Sequence, residues 1–171
     1  MISAASDSRG RTTVCDLIDC RERIYPLGRL DYDSSGLLLL SNDGELMNRL
    51  IHPSFAVEKV YEVSVDRIFS DAELKKIESG VPIEDYVSAP CRISLLRMNE
   101  EKRTATYEIT IHEGKNREIR RMMAYFGAKV KKLHRIREAN LELGDLRSGE
   151  YRMLKPYEVK KLKAYLNGPD R

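Results

Sequence analysis

The sequence predicts an α+β fold, with helices flanking a mixed, largely antiparallel sheet, and three observations lead there. Residues 59–66 and 104–112 alternate apolar and polar side chains with the period of half-buried strands. The second of these follows the strand-like residues 91–98 across the polar turn Asn99, Glu100, Glu101, Lys102, as an antiparallel hairpin would. Between and after them lie stretches with helix caps and apolar residues three and four apart. At 171 residues the chain can form one large domain or two small lobes sharing a core.

Composition narrows the class. Hydrophobic content of 42% and charge of 33% are those of an ordinary globular protein. No apolar run is long enough to span a bilayer, and the first residues lack a signal-peptide core, so no membrane is expected. Cys15, Cys20 and Cys91 are odd in number and lack a second pair at zinc-ligand spacing, which argues against a disulfide framework and for a cytoplasmic location. His52, His112 and His134 have no ligand spacing either, so no metal is expected. Net charge is only +3 but is unevenly placed: residues 1–100 hold 12 Lys+Arg against 17 Asp+Glu, and residues 101–171 hold 18 against 10. A basic half beside an acidic one suggests a positive face toward a polyanion.

Residues 1–13 read as a loop, and Val14–Ile18 as a single helical turn. The segment GRLDYDSSGLLLLSNDG, from Gly28 to Gly44, organises the rest. Leu37–Leu40 predict a short strand buried on both faces, because alternation is absent and turn residues bound the run. Asn42, three residues before Glu45, predicts a helix cap and a helix through Leu50. Asp31 and Asp33 lie in the loop before this rigid strand and are the candidate reactive carboxylates. Their EF-hand-like spacing lacks the twelfth-position glutamate, since Asn42 stands there, so calcium is not expected. The plain structural alternative is an Asx turn, in which each aspartate bonds its own backbone.

In the strand from Lys59 to Asp66, Tyr61, Val63 and Val65 share the inward face. Ser70, with Glu73 three residues on, predicts a capped helix that Gly80 stops, and Pro82–Pro90 reads as a loop. HEGKNREIRRMMAYFG then predicts a helix capped by Asn116 and ended by Gly127, with Ile119, Met122, Met123 and Phe126 as its buried stripe. At 100° per residue Arg117 and Arg121 fall opposite that stripe, while Arg120 sits at its edge and alone can reach a half-buried carboxylate. KVKKLHRIR, residues 129–137, holds five lysines and arginines plus His134; it reads equally as a solvated edge strand or, beside Arg117 and Arg121, as a phosphate-binding surface through Lys131. Residues 144–151 form a loop, and Pro156 opens an amphipathic helix with Val159, Leu162 and Leu166 on one face.

Residues 28–44, the Lys59-x-Tyr61 pair and the 112–127 segment, taken in that order, resemble the RsuA-like family of ribosomal RNA pseudouridine synthases. The resemblance implies a catalytic domain over residues 1–171, built of two lobes sharing a central cleft. The small RNA-binding domain and the Lys-Pro-Gly strand that usually precede it would be missing, leaving the N-terminal lobe incomplete. Asp31 matches the catalytic aspartate, Arg29 the arginine before it, and Tyr61 the tyrosine that stacks on the target base. Arg120 matches the arginine that pairs with the aspartate, and Ile119 the apolar residue beside the flipped base. Arg117 and Glu118 stand where many synthases of the wider superfamily have histidine and glutamine.

The expected activity is therefore isomerisation of a uridine by one carboxylate, without a cofactor, since there is no phosphate loop, dinucleotide fingerprint or metal cluster. RNA is the expected partner, ribosomal RNA first and transfer RNA second, with the chain a monomer. Two other classes use the same residues. A noncatalytic RNA-binding or ribosome-assembly protein would need only the basic face, and a nucleoside hydrolase or glycosidase would need Asp33 as a second acid.

Overall fold

A computed structural model describes residues 1–168. After a 3-10 turn at Cys15–Leu17 come β1 (Tyr25–Pro26), β2 (Ser35–Gly36), β3 (Leu40–Ser41) and α1 (Gly44–Ile51). A second 3-10 turn, Pro53–Phe55, leads to β4 (Lys59–Val65), α2 (Asp71–Ser79) and the short hairpin of β5 (Pro82–Ile83) and β6 (Tyr86–Val87). There follow β7 (Arg92–Asn99), β8 (Thr104–Ile111), α3 (Glu118–Tyr125), β9 (Val130–Glu138), β10 (Leu141–Glu142) and α4 (Pro156–Leu166). The main sheet runs β10-β9-β4-β8-β7, all antiparallel, and β2 joins β9 in parallel. The expected mixed, largely antiparallel α+β architecture is thus observed.

Two cores hold it together. One lies between the sheet and helices α2 and α3, and centres on Val63, Ile77, Ile109, Met122 and Met123. The other gathers Leu37, Leu39, Leu46, Leu50, Leu162 and Leu166 beneath α1 and α4. Fully burying a leucine is worth about 1.5–3 kcal/mol, so the i, i+4 pairs Leu46/Leu50 and Leu162/Leu166 fix both helices. Ser70 and Glu73 cap α2 reciprocally, as their spacing predicts.

Four local expectations need correction. Leu37–Leu40 is not one strand: Ser35–Gly36 pairs with β9, and Leu40–Ser41 pairs with β1. Leu37 and Leu39 are buried between these two pairings, but Leu38 and Leu40 are only half-buried. The cap of α1 is Asp43 rather than Asn42, its carboxylate accepting from the Leu46 amide at 3.1 Å. Residues 82–87 form a hairpin within the expected loop. Finally, β9 is not a simple edge strand, because β4 flanks it on one side and β2 and β10 on the other.

Gly36 makes the β2–β9 crossing possible. Its φ is +116°, and a Cβ there would lie 2.2 Å from the Arg135 carbonyl oxygen. The Leu37 amide donates to that same carbonyl at 2.7 Å. The loop carrying Asp31 and Asp33 is thereby tied to the middle of the sheet.

Candidate active site

A cleft of about 500 Å³ opens where the two cores meet. Leu27, Leu50 and Val57 line it from one core, and Ile111, Ile119 and Leu133 from the other. Arg29, Asp31, Tyr61 and Arg117 also line it.

Asp31 begins a turn closed by the Ser34 amide donating to its carbonyl at 2.9 Å. Two arginines from the start of α3 hold that turn. Arg117 donates to both carboxylate oxygens of Asp33, at 2.9 and 3.0 Å, and its Nη1 lies 4.0 Å from Asp31 Oδ2. Arg120 Nη2 donates to the Asp33 carbonyl at 2.8 Å and lies 3.4 Å from Asp33 Oδ1. Arg120 faces inward as the helical spacing predicts, its side chain 13% exposed against 47% for Arg117, but Arg117, expected on the opposite side, also reaches the aspartates because it precedes α3 with a left-handed backbone. The partner of Arg120, however, is Asp33 and the loop backbone rather than Asp31. The Arg117 hydrogen bonds, with Arg120 behind them, hold the Asp33 carboxyl below its ordinary pKa.

Arg117 reaches the loop from a left-handed backbone conformation, with φ +51°. Such a conformation costs on the order of 1 kcal/mol outside glycine. It also displaces the predicted cap: α3 begins at Glu118, whose carboxylate reaches back to the Lys115 amide at 2.9 Å, and Asn116 does not cap it.

Tyr61 is half-buried in β4, with Arg135 opposite it on β9. Burial pushes its phenol pKa up. The cleft floor beneath carries three buried or largely buried charges. Arg135 and Glu138 are each 2% exposed and pair at 3.3 Å, and Arg135 Nε donates to the Leu37 carbonyl at 2.8 Å. Burial raises the Glu138 pKa against the pull of Arg135 and Lys59, and burial lowers that of Lys59. Sequence reading uses Lys59 only within the Lys59-x-Tyr61 pair and gives the buried Arg135 and Glu138 no role in the site. Reading alternation through β9 from Leu133 would have put Arg135 on the inner face.

The cleft wall beside Ile119 carries a carboxyl pair. Glu118 is buried and hydrogen-bonds Glu113, whose Oε1 accepts from the Ala89 amide at 2.6 Å. Burial first, then Glu113, pushes Glu118 up to about 7, while Glu113 is held low. Lys115, Tyr86, Cys91 and Lys59 also feel this charge. A folded-state pKa above the ordinary 4.5 means that Glu118 stabilises the fold fully below about pH 4.5 and loses that contribution as pH rises through about 7. Denaturation at pH 5.5 and 8.5 should show the higher pH less stable by on the order of 1–3 kcal/mol, and Glu118→Gln should remove most of the difference. An unchanged difference would place the titrating group elsewhere.

Residues 7–125 match the family of RNA pseudouridylate synthases. The chain belongs to this family. Ribosomal large subunit pseudouridine synthase B of Bacillus subtilis (strain 168) is 46% identical over 165 residues, which cover 96% of this chain and 68% of that protein. Dual-specificity RNA pseudouridine synthase RluF of Escherichia coli (strain K12) is 35% identical over 159 residues, 93% of this chain and 52% of that one. The chain thus spans roughly half to two thirds of the length of these relatives. A solved structure described as a pseudouridylate synthase superposes with a TM-score of 0.83 at 28% identity, covering 94% of this chain and 68% of that one. The archaeal box H/ACA sRNP Nop10–Cbf5 complex shares the fold at 18% identity, with a TM-score of 0.56 over 71% of this chain and 40% of that one.

Within this pseudouridylate synthase fold, the three segments that carry the resemblance converge on one cleft. Arg29, Asp31, Tyr61, Arg117 and Ile119 all line it, and Arg120 sits directly behind the Asp33 turn. Arg121 and Lys131 are not among its lining residues. Arg121 is turned onto the β5–β6 hairpin, 3.2 Å from the Tyr86 hydroxyl and 3.5 Å from Glu84, whereas Lys131 is exposed on β9.

Proposed function

We propose that this RNA pseudouridine synthase isomerises a specific uridine in ribosomal RNA, with Asp31 as the reacting carboxylate and the base flipped into the cleft. The observation that carries this reading is the meeting of Asp31, Tyr61 and Ile119 around one cavity of about 500 Å³. The reaction breaks the bond from ribose C1′ to uracil N1, turns the base, and joins C1′ to C5; N1 gains a proton and C5 loses one. No redox change occurs and nothing is transferred to another molecule, so one ionised carboxylate acting as nucleophile or base suffices.

The other residues take supporting roles. Unstacking the uridine costs a few kcal/mol, and stacking on the Tyr61 ring returns about 1–3 kcal/mol of it. Ile119 closes the other side of the base. Arg29, exposed at the mouth, fills the vacated position or holds a phosphate. Arg117 keeps positive charge near Asp31, with its Nη1 4.0 Å from Asp31 Oδ2. The protein acts as a monomer in the cytoplasm.

Mapping pseudouridines in ribosomal and transfer RNA, with and without the protein, tests the reading. The expected result is a defined new pseudouridine in ribosomal RNA. Binding without any new pseudouridine would leave a noncatalytic RNA-binding protein, and released uracil would indicate a hydrolase.

The basic surface has its own test. Lys131→Ala should reduce the slope of log K against log salt by about 0.7–1, since an exposed lysine is free to displace a counterion. Arg121→Ala should change the slope less, because its guanidinium already serves Tyr86 and Glu84. Equal effects would mean that Arg121 leaves the hairpin when RNA binds.

A further inference from the structure

We infer that Tyr32 is a stacking platform for the base of a nucleotide adjoining the target uridine, with Arg29 serving a phosphate of the same single-stranded segment. This rests on the proposed function and adds a substrate subsite outside the cleft.

Tyr32 stands between the two aspartates of the site and is 83% exposed. Its backbone is nevertheless fixed on both sides. The Asp31–Ser34 turn closes at 2.9 Å, and Asp33 is held through its carboxylate by Arg117 and through its carbonyl by Arg120. A large ring is therefore presented to solvent from a rigid turn next to the reacting carboxylate. Tyrosine offers such contact area at low entropic cost, having only two side-chain torsions to fix.

The other exposed tyrosines each have an intramolecular use. Tyr125 packs edge-on against Phe126, Tyr157 lies under Lys161, and the Tyr151 hydroxyl accepts from the Asp19 amide. Beside Tyr32 the chain instead places a cation. Arg29 lies two residues before Asp31 at the cleft mouth.

An aromatic face near a guanidinium is a pattern by which proteins hold unpaired RNA. The reaction supplies the ligand, because flipping one uridine strips its neighbour of a stacking partner. Tyr32 is thus a positioning residue, and it sets which neighbouring base the enzyme tolerates best.

The test uses an RNA hairpin with 2-aminopurine next to the target position, and wild-type, Tyr32→Ala, Tyr32→Phe and Tyr32→Trp proteins, with Tyr157→Ala as a surface control. Wild type, Tyr32→Phe and Tyr32→Trp are expected to quench the probe. Tyr32→Ala should fail to quench it and should bind RNA about 5- to 150-fold more weakly, the loss falling chiefly on Kd and KM, with the melting temperature unmoved. Quenching by Tyr32→Ala, or unchanged affinity, would overturn the platform; so would failure of Tyr32→Phe to restore binding, which would assign the effect to the hydroxyl. If the wild type quenches the probe but forms no pseudouridine, the catalytic reading fails while the platform stands.

Discussion

Asp31→Asn is expected to abolish pseudouridine formation, lowering the single-turnover rate by about 10³-fold or more, while RNA binding stays close to wild type. The substitution preserves volume and removes only the charge. The fold does not depend on that charge, since the bidentate bond from Arg117 goes to Asp33 and Asp31 lies 4.0 Å from the same guanidinium. The same geometry makes Asp33 a poor rival for the chemistry. Two arginines already occupy its oxygens, and it is not among the residues lining the cleft. Asp33→Asn should therefore loosen the turn and lower activity only in part. Asp33 holds a depressed pKa in the folded state, so it stabilises the turn above its ordinary carboxylate range and loses that effect as pH falls through its folded pKa. The two single variants, assayed on one RNA, decide the matter: activity surviving in Asp31→Asn and vanishing in Asp33→Asn would exchange their roles.

The elements legible in the sequence were those whose local pattern and tertiary role agree. β4 and β8 alternate in sequence because one face packs on α2 and α3, and the Ser70–Glu73 spacing specifies its own cap. The Leu37–Leu40 run misled because burial and pairing are separate requirements. Its leucines fill a core, while the backbone on either side pairs with different strands. Arg120 shows the limit for the site. Helical periodicity gives the side from which its side chain leaves α3, but the turn that Gly36 anchors decides which aspartate it meets. Charge patterning failed in β9. KVKKLHRIR reads equally as a solvated edge or a phosphate-binding surface, both of which put its charges outside, yet Arg135 is buried with Glu138 and lies opposite Tyr61 in the sheet.

That buried pair yields the largest expected effect on stability. Glu138→Ala would leave Arg135 and Lys59 as neighbouring desolvated cations without their shared anion, at a cost of about 3–5 kcal/mol. For a chain of this size the loss corresponds to a melting temperature lower by about 6–20 °C. Replacing both partners, as Arg135→Met with Glu138→Leu, should recover part of the stability, because the deepest unpaired charge is gone while Lys59 still lacks its anion. It should not recover activity, since Arg135 also holds the Leu37 carbonyl at the end of the Asp31 loop and lies opposite Tyr61 in the sheet. Urea denaturation and single-turnover assays on the three proteins separate the two roles. A single variant within about 1 kcal/mol of wild type would mean that water reaches the pair, whereas a fully active double variant would reduce it to packing.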